Sequence, residues 1–256
     1  MTRVSGPGGV SRWRMLLRSF AVQGSWNYQT LIGTGLAFVL APALRRAYAG
    51  DPEGLKAATA RHLELFNSHP YLATVAAGAL ARLEEERLPP ETIVRFKAAV
   101  RGSLGSLGDR LVWLMWRPAC AVLGISLVLA GFAWWVAVGA FLVAYNALHL
   151  WMRAWGLKVG LRDGLNIGRT LRDLPFQRLG DRAGDAGSFL AGFAATVAAG
   201  GMAVGGGGGT GERLLVLALG IAAAAAGIAL GRRVRAVAAL LLLAVLVAGT
   251  VLAHLG

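Results

Sequence analysis

The residues best suited to hold a polar, uncharged solute are Glu64, Asn67, His69, Asp109, Trp113 and Asn146. Carboxylate, amide and imidazole groups exchange hydrogen bonds with hydroxyls, and an aromatic face covers the apolar side of a sugar ring. The densest run is Arg61-His-Leu-Glu-Leu-Phe-Asn-Ser-His-Pro-Tyr71, where Glu64, Asn67 and His69 fall within two helical turns just before an apolar segment. Asn67 or Ser68 is as well suited to cap that segment, with Pro70 in its first turn. Asp109 follows glycines at 102, 105 and 108 and precedes Leu111-Val-Trp113. It either accepts hydrogen bonds from a sugar or pairs with Arg110 or Arg117. Asn146 and His149 stand three apart and share a helix face. Interhelical hydrogen bonding is the other reading of that pair, and the stronger one for His149.

Covalent chemistry lacks its parts. Gly164-Leu-Asn-Ile-Gly168-Arg-Thr170 resembles a fragment of a phosphate loop, but the lysine and the spacing are missing. No H-E-x-x-H, C-x-x-C or G-x-S-x-G occurs, and no nucleophile–base set can be assembled. His62 and His69, seven apart, are the one histidine pair on a common helical face, and no further good ligand joins them. No metal, no cofactor and no catalytic residue is therefore expected, and a stand-alone membrane enzyme is the weakest reading. Nucleic-acid binding lacks the required interleaved basic and aromatic surface.

The elements that must position these groups are set by composition. The 256-residue chain is 56% hydrophobic and 15% charged, with 26 basic and 13 acidic residues, a net charge of +13 and a single cysteine. Mean hydropathy is +0.57. An apolar chain with an arginine excess reads as a membrane protein with basic cytoplasmic loops, and the architecture expected is all-α.

Trp13, Leu16, Leu17 and Phe20 at helical spacing, with Arg12, Arg14 and Arg18 between them, predict an amphipathic helix lying in the bilayer interface, within a segment 1–24. A core over 25–185 holds short, broken or re-entrant helices. Thr30 to Leu40 is apolar and is expected to stop at Pro42 and Arg45-Arg46. Pro70 to Ala81 is too short to span and reads as re-entrant or protein-buried. The glycines at 102, 105 and 108 favour a loop or broken helix whose backbone approaches something closely. Ala119 to Met152 is 34 residues without charge. As one helix it would run about 51 Å against a bilayer core of about 30 Å, so a hairpin near Gly131 is expected. Gly156, Gly160, Gly164 and Gly168 make a smooth helix stripe for close packing. The 153–185 segment, with seven Lys/Arg and four Asp, reads as a cytoplasmic loop. Three transmembrane helices complete the segment 186–256: Ala186–Gly211, Leu214–Gly231 and Ala236–Gly256. This topology places the N-terminus in the cytoplasm and the C-terminus outside.

These residues also carry a family likeness. Ser25-Trp-Asn-Tyr28, Pro42-Ala-Leu-Arg-Arg46, Arg61-His-Leu-Glu-Leu-Phe-Asn-Ser-His-Pro70, Leu83-Glu-Glu85, Lys97, Gly105-Ser-Leu-Gly-Asp109, Trp113, Arg117-Pro118, Tyr145-Asn146 and Gly156 to Gly164 follow one another in family order over residues 25–195. In them the chain resembles the IID subunit of the mannose/fructose/sorbose family of phosphotransferase permeases. The resemblance implies a multi-pass protein of the bacterial inner membrane that pairs with a IIC membrane subunit in a trimer of IIC–IID pairs. A hexose crosses the bilayer near the subunit interface and is phosphorylated by cytoplasmic IIA and IIB subunits, so His62 and His69 are not phosphoryl carriers. Here the family's usual proline is absent from the Gly102–Gly108 run, and Arg110 follows Asp109. A permease-derived scaffold or sensor is therefore the alternative expectation.

Overall fold

A computed structural model describes residues 9–129, 131–173 and 176–203, with 211 and 218 in isolation. The expected spans Leu214–Gly231 and Ala236–Gly256, and the end of Ala186–Gly211, lie outside the described residues. Among the described residues the architecture is all-α: α1 (Gly9–Ser19), α2 (Gly33–Ala47), α3 (Pro52–Leu63), α4 (Ala73–Glu85), α5 (Pro90–Gly108), a π-helical segment (Asp109–Trp116), α6 (Arg117–Leu129), α7 (Trp134–Asp163), a 3-10 turn (Gly164–Asn166), α8 (Ile167–Asp173) and α9 (Phe176–Ala203). They divide into two compact units, one holding 9–111 and 146–173, the other 112–145 and 177–203.

At the centre of the first unit lies α4, whose residues Ala73 to Ala81 are all buried. Short apolar length thus does mean a protein-buried helix. Its small side chains let α7 pack backbone to backbone. A methyl group at Gly160 would overlap the Val75 carbonyl oxygen, and one at Gly156 would crowd Thr74 and Val75. The glycine stripe serves close contact at these two positions. Gly164 instead takes φ +53° in the 3-10 turn that ends α7, and Gly168 meets nothing.

Three local expectations are corrected here. The apolar run starting at Thr30 does not stop at Pro42, because α2 continues to Ala47. Burial of Leu36, Val39, Leu40, Ala43 and Leu44 offsets the hydrogen bond that an interior proline removes. The glycines 102–108 lie in no loop: they end α5, which gives way to the π-helical segment at Asp109, and Gly108 makes the expected close approach, to the His69 side chain. Ile93, Phe96, Lys97, Val100, Leu104, Gly108 and Leu111 form one buried stripe along this stretch, and that packing overrides weak propensity. Asn67 and Ser68 cap nothing: α4 begins at Ala73, and the His69 carbonyl accepts from the Leu72 and Ala73 amides.

The second unit contains the hairpin expected near Gly131. Helix α6 closes with the Phe132 amide bonded to Leu127 O (3.0 Å) and the Gly131 amide to Val128 O (3.0 Å), with Gly131 at φ +86°. This is a Schellman closure, which glycine adopts without a Cβ penalty. Helix α9 lies against α6, with Gly187 on Ala119 and the Ser126 hydroxyl 3.4 Å from Leu190 O. The 153–185 segment, read as a cytoplasmic loop, is mostly helix, divided among the end of α7, α8 and the start of α9. Two continuous helical stretches, Pro90–Leu129 and Trp134–Arg172, are long and apolar enough to cross a membrane.

Candidate functional site

The segment between α3 and α4 is an extended strap, and two polar devices in the first unit hold it. The first device fixes the strap's start. Helix α3 opens on an Asp51 cap, whose carboxylate accepts from the Gly54 amide (2.8 Å), with Pro52 in the first turn. It closes at Leu63, where the Lys97 ammonium donates to Arg61 O (2.7 Å) and Glu64 O (3.0 Å), two carbonyls that the helix end leaves without intrahelical partners. Glu64 is already extended. The strap then pairs with the chain before α2: the Ile32 amide donates to Phe66 O (3.0 Å) and the Phe66 amide to Thr30 O (3.2 Å).

Behind this turn sits Glu84, fully buried on α4. Its carboxylate accepts from Tyr48 Oη (2.6 Å), from Arg61 Nε (2.7 Å) and Nη2 (3.0 Å), and from His62 Nε2 (2.7 Å). Burial pushes its pKa up, but these donors outweigh burial and hold it down to about 2. Burial dominates at His62 and lowers its pKa, so the imidazole is neutral and donates through Nε2. The sequence reading missed this network. Its one signal was an acidic pair, Glu84-Glu85, ending an otherwise apolar segment.

The second device fixes the strap's end. Ser68, His69 and Pro70 are buried. His69 Nδ1 accepts from the Tyr71 amide (3.2 Å), and its ring meets Tyr71 edge-on with centroids 4.8 Å apart. Tyr71 stacks on His149 at 4.0 Å. Arg153, 4% exposed, donates to His149 Nε2 (2.6 Å) and to Ser19 O, and lies over the rings of Phe20 and Tyr71. His149 is thus bonded within α7, four residues from Arg153. It meets the strap by stacking rather than by the interhelical hydrogen bond expected for it.

Four candidates gather loosely around this second device. His69 abuts α5, where a methyl group at Gly108 would collide with its side chain. Asp109, the next residue, is exposed at the junction of α5 and the π-helical segment. Its carboxylate has no hydrogen bond or ion pair among the described residues, so pairing with Arg110 or Arg117 is not what the structure shows. Arg117 instead stands over the Trp113 ring at 5.0 Å. Asn67 is exposed on the strap two residues from His69, and Asn146 is half-buried on α7 one turn before His149. Glu64 is exposed at the strap's other end, where its backbone rather than its carboxylate holds Lys97. Trp113 is half-buried and belongs to the second unit. His62 and His69 do not share a helix, because α3 ends between them. Among the described residues no cluster of metal-ligating side chains occurs.

Helices packed on a short buried core, with two stretches long and apolar enough to cross a membrane, are the architecture that the relatives place in a membrane transporter. Residues 10–196 match the family model of the PTS system mannose/fructose/sorbose family IID component. The mannose-specific EIID component of Escherichia coli K12 is 32% identical over 183 residues, 70% of this chain and 64% of that protein's length. The fructose permease IID component of Bacillus subtilis is 33% identical over 70% of this chain and 66% of its own. A cryoEM structure of the mannose transporter ManYZ in complex with microcin E492 superposes with TM-score 0.59 and 30% identity, covering 74% of this chain and 70% of that one. The chain belongs to the mannose/fructose/sorbose family of phosphotransferase-system IID components.

Proposed function

We propose that the chain is the IID subunit of a phosphoenolpyruvate-dependent permease. It pairs with a IIC subunit, in a trimer of such pairs, to form the path by which a hexose of the mannose, fructose or sorbose type crosses the inner membrane. Phosphoryl transfer belongs to cytoplasmic IIA and IIB subunits, and this chain contributes binding and positioning. One observation carries the proposal for the site: Asp109 is an exposed carboxylate with no hydrogen bond or ion pair among the described residues, at a helix junction packed on the His69 strap. A carboxylate in that state accepts sugar hydroxyls in charge-assisted hydrogen bonds. Asn67, on the strap that His69 orders, and Asn146, one turn before His149 on α7, are proposed to add amide donors and acceptors. Glu64 and Trp113 are separate proposals, each to be tested by its own alanine variant.

The test is sugar uptake and phosphorylation in vesicles containing this chain and its IIC partner, with IIA, IIB, the phosphocarrier protein and phosphoenolpyruvate supplied. Asp109→Asn is expected to abolish uptake while co-purification with IIC persists. Undiminished uptake would remove Asp109 from the site. Uptake by this chain without IIC would overturn the subunit assignment itself.

A further inference from the structure

The strap that carries Asn67 and His69 runs along α5, the helix that ends at Asp109. Lys97, on α5, holds the strap's start through the carbonyl oxygens of Arg61 (2.7 Å), His62 (3.4 Å) and Glu64 (3.0 Å). Two turns on, Gly105 faces Ser68, where a methyl group would lie 3.9 Å from the Ser68 Cα. Nearly one turn further, Gly108 leaves no room for a methyl group beside the His69 side chain. The order 64, 68, 69 on the strap follows the order 97, 105, 108 on the helix. The lengths also agree. From Lys97 to Gly108 a helix rises about 17 Å, and five residues of extended chain reach at most about 18 Å. The strap therefore has little slack between its two anchors.

Packing alone does not account for Lys97. Ile93, Phe96, Val100 and Leu104 show what the buried stripe of α5 needs for packing. Lys97 lies in the same stripe at 4% exposure, in a stretch long and apolar enough to cross a membrane. A buried ammonium is costly there unless its donors are satisfied, and the acceptors it finds are the backbone carbonyls that open the strap. We propose that Lys97 and Gly108 are positioning residues of the sugar site: they fix the register of the strap on α5, and so place Asn67 relative to Asp109, which rests on the reading of those two residues as sugar ligands. Freeing either anchor lets the strap bow while Asp109 stays at its helix junction. Sugar then binds less well, and the rate at saturation is kept.

The test uses the full chain with a cysteine-free IIC partner. Spin labels on Leu65→Cys and Arg101→Cys, both exposed, in a Cys120→Ser background, report the distance between strap and α5 by electron paramagnetic resonance. Sugar uptake in vesicles, with the unlabelled chain, gives KM and the maximal rate. Lys97→Met is expected to broaden the distance distribution and to raise KM about tenfold, with the maximal rate held within about twofold. Gly108→Ala acts at the other anchor without removing a polar group, is expected to do the same, and decides the matter if Lys97→Met does not fold. Gly102→Ala meets nothing and is expected to match the wild type in both readouts. Distances unchanged in the anchor variants, or broadened distances with KM unchanged, overturn the proposal. So does a fall confined to the maximal rate, which a merely damaged fold would give. Undiminished uptake by Asp109→Asn would refute the sugar site itself, and the spin-label distances would still decide whether Lys97 and Gly108 anchor the strap.

Discussion

Glu84 illustrates how much one buried carboxylate holds in place. Four donor contacts from three residues converge on it, and two of those residues, Arg61 and His62, belong to the turn that opens the strap. Glu84→Gln keeps the shape but leaves the Arg61 guanidinium without its counter-charge, at a cost of about 3 kcal/mol. The expected readout is a lower midpoint in thermal unfolding of the detergent-solubilised protein, larger than for Glu86→Gln, whose pairing is partly exposed. The pH dependence follows in sign. The folded-state pKa is depressed to about 2 from an ordinary 4.5. The network's stabilisation is therefore fully present above that ordinary value and is lost as pH falls through the folded one. Because the buried neutral His62 already weakens the fold as pH falls below the ordinary histidine value, the Glu84 contribution is read as a difference: the gap in midpoint between the wild type and Glu84→Gln should be constant down to the ordinary carboxylate value and then close. Of the candidate site, the residue types were legible in the sequence, whereas their states were not. Whether Asp109 pairs with Arg110 depends on rotamers across a helix junction, and no spacing rule sets those. Asn67 looked like a cap because Pro70 follows it, but the helix begins three residues later.

Elements were legible where a physical limit forced them. Helix α4 was recognised by being too short to cross a bilayer, and the α6–α7 hairpin by a charge-free stretch too long to cross once. Elements were misread where packing overrode local preference, at Pro42 in α2 and in the loop alternative for the glycines ending α5, where the close approach expected of them holds at Gly108. The stripe on α7 was read correctly in kind but over-extended, because spacing alone does not say where a helix ends. That difference makes a paired test. Gly160→Leu drives a side chain into the Val75 backbone of α4, and overpacking costs about 3 kcal/mol. Gly168→Ala meets nothing in α8 and removes a helix-breaking residue, so it is expected to be neutral or to stabilise by up to about 1 kcal/mol. Thermal unfolding of the two variants decides. Equal behaviour would refute the assignment of close contact to one position and not the other.

The whole molecule must also be oriented, and the charge distribution proposes how. We propose that Arg12, Arg14 and Arg18 on α1, together with the seven basic residues of the 153–185 segment, face the cytoplasm, by the bias of positive charge toward that side. The sequence offers a clean measurement, because its single cysteine, Cys120, is buried at 3% exposure and gives little background labelling. Arg14→Cys places a reactive thiol on the exposed face of α1, where Arg14 has no ion pair among the described residues. A membrane-impermeant maleimide is expected to label it in inside-out vesicles and to leave it untouched in intact spheroplasts. Labelling from the outer side alone would invert the proposed topology.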